Sequence, residues 1–444
     1  MAPRQPDAHL RRSPSTLAWQ VLRAEGMAAF RDRSLDRLAA WRRRRRYRRV
    51  DAGGLTAVVP VLSVLPAPPR PDLGGVLVQF LRRQAAAAGP RALLYPERGG
   101  YRLEVDAASG PRAAVLPGTL PGILDLRDES FEDAVRLAAE MLGAKALHVE
   151  QPAGLPLGSL LRLRRSGLRL VLSLHDFGLF CVRPHLLEQP RLAFCRYCRD
   201  DARCAACLRR DWPVDDGFQP ARRAVASELL AAADAVVYPS DFMRRRYREL
   251  LRAPTATAWV VPPALAPPVP PASAGPVRRV AYVGSVRAHK GALVFEEVAG
   301  RFPELVWSAF GGGDPEILRR WRRTRAIAVR GYYRAAALPR LLRRRRVDLA
   351  LLPSIVPESY GLTLDECWAA GVPVIAFDHG ALAERIRERG GGWLVRPEEG
   401  AAGVERRLRE VLRRPEVPSG RGDRPPEEPR SFADVYRALE LGVV

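Results

Sequence analysis

Glu358 and Glu366 stand with seven residues between them in the segment PESYGLTLDECWAAGVPVIAFDHGALAERI, residues 357–386. A strand-like run (LALLPS) precedes this pair of carboxylates, and a helical pattern begins near Gly361. The free amides and the positive dipole end of a helix N-terminus bind phosphate well. The first carboxylate can therefore accept hydrogen bonds from sugar hydroxyls, and the second, about two turns later, from a ribose. The alternative is a surface helix that carries two unrelated acids.

The E-x7-E spacing and the following AAGVPVIAFDHG resemble the donor-binding motif of the family 4 retaining glycosyltransferases, which have the GT-B fold. The resemblance implies that Glu358 lies near the donor sugar and that Glu366 binds the ribose hydroxyls. It also implies that the amides of Gly361, Leu362 and Thr363 hold the distal phosphate. The implied reaction retains the anomeric configuration, by front-face attack of the acceptor. No catalytic metal or other cofactor is expected.

A second motif is VAYVGSVRAHKGALVF, residues 280–295. A predicted strand ends at Gly284, and a loop leads to Lys290 before the next helix. An ammonium group here would neutralise the diphosphate as the glycosidic bond breaks, so it would stabilise the transition state more than the ground state. The family usually has an arginine directly after the glycine, where this chain has Ser285. Arg287, two residues later, is placed to compensate for the missing arginine. The change to Ser285 puts the geometry of donor binding in question more than the fold.

Two glycine turns follow strands in the same part of the chain, GGGDPE at 311–316 and RGYY at 330–333. In the resembling family, the position of the 311–316 turn holds a glycine turn near the nucleotide. The position of the 330–333 turn holds backbone that borders the base. The resemblance therefore implies donor contacts at Gly312 and Gly331. The alternative is that each turn only closes a connection between two elements.

The first half of the chain offers the sequence LSLHDFGLFC, in which His175 and Asp176 end a buried strand and should face a cleft. A cleft histidine can orient a sugar hydroxyl or transfer a proton. The family has a histidine near the donor sugar in this place, a catalytic role that His175 would inherit; the alternative is a structural histidine. Gly74 and Gly75 match the family's glycine pair, which lets backbone approach the donor phosphates.

Five of the six cysteines lie between Cys181 and Cys207. Cys195-x2-Cys198 and Cys204-x2-Cys207 form two hooks of the kind that bind a structural zinc ion, and some members of the family carry similar cysteines. The gap of five residues between the hooks is shorter than in common zinc ribbons. A structural zinc and a set of reduced thiols therefore both stay open, whereas disulfides are disfavoured in a reducing compartment.

Strand-like runs alternate with helical patterns in two blocks, which predicts an α/β protein of two Rossmann-like, doubly wound domains facing across a cleft. We expect an acceptor domain over 55–262, with a cysteine-rich insertion at 181–207. A proline-rich linker (263–276) leads to a nucleotide-sugar-binding domain over 277–415. The tail (416–444) ends in a helix that, in the resembling fold, crosses back to the first domain.

Residues 1–54 are predicted to form a basic helical extension, because apolar residues at helical intervals lead into a basic run from Arg42 to Arg49. Such a helix can rest on an anionic membrane surface. The alternative, which we favour, is a helix packed on its own domain or a flexible extension.

The chain has 444 residues and a formal net charge of +23, and arginine supplies most of the excess. A basic surface attracts polyanions, but abundant Arg, Ala, Gly and Pro together are also typical of a GC-rich coding sequence. We therefore expect no specific nucleic-acid partner. The sequence contains no run of 18 apolar residues and no apolar signal-peptide core. We expect a cytoplasmic protein, with peripheral contact at the inner face of the membrane left open.

Together these patterns predict a retaining glycosyltransferase that uses a nucleotide diphosphate-sugar and a glycan or lipid-linked acceptor. A role in bacterial surface polysaccharide or lipopolysaccharide O-antigen assembly is the expected context. Paired carboxylates also occur in glycoside hydrolases, but a phosphate-binding helix turn suits nucleotide recognition better. The alternative is a catalytically weak module of the same fold that binds nucleotide or anionic polymer, which Ser285 in place of arginine favours.

Overall fold

The computed structural model of the protein describes residues 23–25, 27–50, 55, 57–69, 75–87, 91–107, 110–264, 267–270, 275–420 and 431–441. Within these ranges the chain forms two α/β domains, each built on one large and mainly parallel sheet. The predicted fold class is therefore confirmed.

The first domain contains the strands β1 (Arg48–Arg49), β2 (Val61–Val64), β3 (Ala92–Glu97), β4 (Gly100–Ala107), β5 (Gly110–Pro117), β6 (Ala146–Glu150), β7 (Arg169–Ser173), β8 (Leu187–Glu188), β9 (Ala193–Phe194), β10 (Ala235–Tyr238) and β11 (Ala258–Val260). Its large sheet has the order β1-β5-β4-β3-β2-β6-β7-β10-β11, and β8 pairs with β9 separately. Neighbouring strands of the large sheet are parallel except in the hairpins β3–β4 and β4–β5.

The helices that precede and cover this sheet are α1 (Met27–Arg46), α2 (Val76–Ala87), α3 (Glu129–Leu142), α4 (Leu157–Arg165), α5 (Asp201–Leu208), α6 (Phe218–Ala232) and α7 (Asp241–Leu251). Side-chain caps fix where some of them begin. The Asp128 carboxylate accepts a hydrogen bond from the Phe131 N–H at the start of α3, and the Ser240 hydroxyl accepts one from the Met243 N–H at the start of α7. Such caps satisfy amides that a helix leaves without partners.

The hairpin β4–β5 lies outside the strands that the apolar runs predicted. Its apolar pattern is interrupted because polar residues of β4 point into the interior. Glu104 is buried and accepts hydrogen bonds from the Tyr95 hydroxyl (2.7 Å) and from the Arg102 Nε (2.9 Å). A buried carboxylate that accepts two hydrogen bonds on one oxygen occupies this core position without looking apolar in the sequence.

The second domain contains the strands β12 (Arg279–Val283), β13 (Val306–Phe310), β14 (Ile327–Gly331), β15 (Leu349–Leu352), β16 (Val374–Phe377) and β17 (Gly392–Val395). They are parallel and lie in the order β14-β13-β12-β15-β16-β17, which reverses direction between β12 and β15. The helices are α8 (Ala292–Gly300), α9 (Pro315–Thr324), α10 (Leu338–Arg344), α11 (Leu362–Ala369), α12 (Gly380–Arg389) and α13 (Gly400–Arg413). Open α/β sheets bind ligands beyond the carboxyl ends of the strands at such a reversal.

Two elements cross from one domain to the other. Just before α1, Ala24 is buried in the core of the second domain, whereas just after α1 the Tyr47 hydroxyl donates to Asp106 Oδ1 of the first domain at 2.7 Å. The final helix, α14 (Phe432–Ala438), follows the second domain in sequence but packs against α2 of the first, where Phe432 contacts Phe80. None of the helices in the described residues is long and apolar enough to span a membrane.

Candidate functional site

A cleft of about 850 Å³ separates the two domains and is lined by residues of both. The loops after β12 and β15 form its second-domain wall, and the loop after β7 forms much of the opposite wall. The Ser240 hydroxyl of the first domain donates to the Ser359 carbonyl of the second at 2.6 Å, which ties the walls together. The cleft therefore lies at the strand reversal of the second sheet, where ligands of such sheets bind.

Lys290 and Glu358 meet in this cleft. Lys290 ends a short 3-10 turn and is followed by Gly291, which has a φ of +79°. A side chain at Gly291 would overlap the Pro353 carbonyl, so the glycine lets this loop lie against the one after β15. As a result, the Lys290 Nζ donates to both Glu358 carboxylate oxygens, at 2.7 and 2.8 Å. Burial opposes ionisation of Glu358, but the charge and hydrogen bond of Lys290 outweigh it and lower the pKa of Glu358.

The N-terminus of α11 opens into the same cleft. Gly361 precedes the helix with a φ of +83°, and no side chain of the described residues caps it. A side chain at Gly361 would overlap Leu382, so only glycine fits there. Gly361, Leu362 and Thr363 all line the cleft, as does Gly284 from the loop after β12. The uncapped amides and the positive end of the helix dipole are suited to a phosphate.

Glu366 lies about one turn farther along α11 and also lines the cleft. Its Oε2 accepts a hydrogen bond from the Tyr333 hydroxyl at 3.1 Å. Burial raises the pKa of Glu366 to about 7, although the Tyr333 hydrogen bond acts in the opposite direction. A carboxyl group held in this way has acceptor capacity left for a diol.

His175 is buried at the first-domain wall, two residues beyond the end of β7. Its Nε2 lies 2.5 Å from Glu150 Oε2, and its ring packs edge-on against Phe80 with centroids 4.7 Å apart. The buried Nδ1 has no hydrogen-bond partner among the described residues. Asp176 also lines the cleft, as expected, and it shapes the turn because it accepts hydrogen bonds from the Gln151 side chain and the Gly178 N–H.

Only some of the remaining residues predicted to contact the donor line the cleft. Gly75, Ser285, Arg287 and Gly312 line the cleft, whereas Gly74 lies outside the described residues. Gly331 is buried against the segment before α1, and the donor contact expected there stays a prediction. A Cβ atom at this glycine would lie 2.5 Å from the Glu25 carbonyl oxygen.

Sequence patterns missed several residues of the cleft. His185 is exposed in the cleft and its ring stacks on that of His289, with centroids 4.6 Å apart and planes inclined by 12°. Burial, together with the neighbouring His185 and Lys290, lowers the pKa of His289 to about 3. Glu25, just before α1, and Arg33, within α1, line the cleft as well. No spacing in the sequence connects these residues with the motifs of the second domain.

The described residues do not form the structural zinc site that the cysteine spacing left open. Cys181, Cys195, Cys198, Cys204 and Cys207 surround one small cavity, but no three or more Cys, His, Asp or Glu side chains of the described residues are placed to hold a metal ion. The Cys204 thiol donates to the Cys198 carbonyl (3.5 Å) and accepts from Arg223 (3.6 Å). Burial raises the pKa of Cys204 to about 12, so this thiol is neutral near pH 7. Cys204 therefore packs as a neutral thiol beside Arg223.

The chain was compared with known proteins. Residues 277–414 match the family model described as Glycosyl transferases group 1, a stretch that holds Lys290, Glu358 and Glu366. The comparison with curated proteins gave no match. Sucrose-phosphate synthase from Thermosynechococcus elongatus superposes with a TM-score of 0.53 at 16% identity, over 80% of this chain and 90% of that one. The structure of Anabaena Alr3699/HepE in complex with UDP superposes with a TM-score of 0.53 at 14% identity, over 85% of this chain and 94% of that one.

The chain has the GT-B fold. These structures are similar over almost their whole length, so the GT-B likeness includes both domains and the cleft between them. The family match, by contrast, lies within the second GT-B domain alone. The second domain is thus recognisable by sequence and the first by fold.

Proposed function

We propose that the protein is a retaining glycosyltransferase that moves a sugar from a nucleotide diphosphate-sugar to a glycan or lipid-linked acceptor. The observation that carries this proposal is the pair formed by Lys290 and Glu358 beside the uncapped start of α11. The family match of the surrounding domain and the GT-B fold support it.

The cleft offers a separate place for each part of such a donor. The α11 amides and the Lys290 ammonium group suit the diphosphate. Glu366, farther along the helix, suits the ribose hydroxyls, so the base would lie beyond it, towards Tyr333 and Gly312. The sugar would then lie between Glu358 and His175, on opposite walls of the cleft. HepE was solved with UDP, which makes uridine diphosphate-sugars the first donors to test.

The reaction breaks the bond between the anomeric carbon and the diphosphate oxygen and forms a bond from that carbon to the acceptor oxygen. The acceptor proton passes to the leaving diphosphate, and front-face attack retains the configuration. Lys290 stabilises the charge that develops on the leaving group. Glu358 holds the Lys290 ammonium group and keeps acceptor capacity for sugar hydroxyls. No step in this scheme requires a cofactor.

A screen of nucleotide diphosphate-sugars for hydrolysis and transfer tests this proposal. We expect release of the nucleotide diphosphate with at least one donor, and a product whose anomeric configuration, read by proton NMR, equals that of the donor. An inverted product would disprove retention. Absence of turnover with every donor and acceptor, despite tight nucleotide binding, would favour the catalytically weak GT-B module. Ser285, where the resembling family usually has arginine, is the observation that favours this second candidate.

A lipid-linked acceptor agrees with the outer face of α1, where a peripheral contact with an anionic membrane would deliver it. Leu35, Leu38 and Trp41 are 47%, 41% and 49% exposed on this helix, and the Arg45 guanidinium lies 4.2 Å from the centre of the Trp41 ring. Exposed apolar and basic residues on one helix are typical of binding at a bilayer interface. Surface polysaccharide or O-antigen assembly is the role that we propose on this basis. Cosedimentation with phosphatidylglycerol vesicles but not with phosphatidylcholine vesicles, reduced in Trp41→Ala, is the expected result.

A further inference from the structure

The segment before α1 occupies one end of the cleft. Glu25 is buried, and its Oε2 accepts a hydrogen bond from the Tyr332 backbone N–H at 3.1 Å. The preceding residue, Ala24, is fixed by its carbonyl, which accepts from the Arg322 Nε at 2.8 Å. We call residues 23–25 and 27–33 the N-terminal arm. One side-chain contact, from Glu25, and one backbone contact, from Ala24, thus hold the arm on the second domain.

Arg33 completes the arm's contact. Its Nε and Nη2 donate to the two carboxylate oxygens of Glu25, at 3.1 and 2.6 Å, which makes a bidentate pair. Its guanidinium carbon lies 4.7 Å from the centre of the Tyr332 ring. Glycines at 312 and 331 leave room for these groups, since a side chain at either position would overlap the arm. The arm therefore fits closely against this end of the cleft.

This end is where the nucleotide base must lie, an argument that rests on the proposed function. The diphosphate is expected between Lys290 and the start of α11, and the ribose at Glu366. Tyr333 donates its hydroxyl to Glu366, so the adjacent residue, Tyr332, borders the next part of the ligand. A base carbonyl bound here would accept a hydrogen bond from the Tyr332 N–H. In the structure, Glu25 already accepts that hydrogen bond.

We propose that the N-terminal arm is an internal competitor of the nucleotide base. A carboxylate oxygen of Glu25 takes the place of a base carbonyl on the Tyr332 amide, and the planar Arg33 guanidinium takes the place of a stacked base on the Tyr332 ring. Donor binding then displaces the arm from Tyr332. The far end of α1 stays attached to the first domain through Tyr47 and β1.

Titration calorimetry with UDP, GDP and ADP tests the proposal in the full chain. Glu25→Ala removes the competing acceptor, and Glu296→Ala is the matched control because it breaks another bidentate pair, with Arg320, on the same domain. We expect Glu25→Ala to bind the preferred nucleotide about tenfold more tightly than the wild type, the effect of losing one hydrogen bond to a charged group. Glu296→Ala should bind as the wild type does.

Hydrogen exchange of the wild-type protein gives a second measurement that does not depend on a variant. A saturating nucleotide should speed exchange of the arm amides while it slows exchange at 361–366. Unchanged or weaker binding by Glu25→Ala, or slower arm exchange with nucleotide, would overturn the proposal and make the arm a wall of the site, while the proposed function would stand. Failure of all three nucleotides to bind the wild type and Glu25→Ala would overturn both.

Discussion

The two walls of the cleft are built in different ways. On the second-domain wall, the groups that would hold the donor diphosphate and ribose come from two short segments, 284–291 and 358–366, each a loop that enters a helix. On the opposite wall, His175 depends on Glu150, a residue of the neighbouring strand β6. The base end, moreover, is covered by residues from the start of the chain. The comparison teaches that, under the proposed function, the phosphate site would follow from local backbone geometry, whereas the sugar and base sites would depend on long-range packing.

The largest effect is expected from Lys290→Ala, which removes the only side-chain cation that the second-domain wall brings to Glu358 among the described residues. We expect kcat/KM for the donor to fall by about 100-fold or more, because a charge that stabilises the leaving group is lost. Steady-state kinetics with the preferred donor measure this. Lys145→Ala, at an exposed lysine of the first domain, is the control. Activity of Lys290→Ala within threefold of that control would contradict the assignment of the diphosphate site.

A smaller effect, of a different kind, is expected from His175→Ala. Because His175 lies on the wall opposite the diphosphate site, we expect kcat to fall by about 10- to 100-fold. The dissociation constant for the nucleotide diphosphate should stay unchanged. Kinetics and calorimetry on the same variant separate the two quantities. A loss of nucleotide affinity equal to the loss of kcat would show that His175 contributes to nucleotide binding, in contradiction to its assignment to the sugar end of the cleft.

Glu366→Gln should change stability with pH. Burial raises the pKa of Glu366 to about 7, above its ordinary value, so the protonated form favours the folded state. The stability that this group supplies is complete below the ordinary pKa and is lost as the pH rises through about 7. The melting temperature of unliganded Glu366→Gln relative to wild type should therefore increase from pH 5 to pH 8, by about 2–4 °C.

Glu304→Gln, at an exposed glutamate of the same domain, is the matched control and should show no such trend. A melting temperature difference for Glu366→Gln that stays constant between pH 5 and pH 8 would contradict the burial of this carboxyl. The same variant should weaken nucleotide binding, because a neutral amide accepts hydrogen bonds from a diol less well than a carboxylate.

The smallest effect is expected from metal removal. In the cysteine cluster the Cys204 thiol packs beside Arg223, and no three or more side chains of the described residues are placed to hold a metal ion. Treatment with a strong zinc chelator should therefore leave the melting temperature unchanged within about 1 °C. Elemental analysis of protein purified under reducing conditions should show less than one equivalent of zinc. A stoichiometric zinc and a chelator-induced fall in melting temperature would instead support the structural zinc that the cysteine spacing left open.

The second-domain wall could be predicted because its candidate site residues lie close together in the sequence. A glycine before a helix start, with a carboxylate on either side of it, fixes Glu358, Gly361 and Glu366 within one loop and helix. Parallel strands buried on both faces also read as continuous apolar runs, which made the alternation of strands and helices visible. The fold class followed from these two features.

The other contacts could not be predicted, for physical reasons that differ between residues. His185 reaches the cleft through an irregular loop and contacts His289 only in the folded state. Glu25 precedes Tyr332 by 307 residues, a separation over which no spacing rule acts. The sequence did not predict the hairpin β4–β5 because a charged residue, Glu104, fills a core position, where it accepts hydrogen bonds from Tyr95 and Arg102.

The central claim is that Lys290, Glu358 and the start of α11 hold the donor diphosphate. A crystal structure of the protein with UDP tests this most directly. We predict both phosphates within hydrogen-bond distance of the Lys290 Nζ or the Leu362 and Thr363 amides, with the ribose hydroxyls on Glu366. UDP bound elsewhere, with the Lys290–Glu358 pair and the start of α11 left without contact to phosphate, would contradict the account.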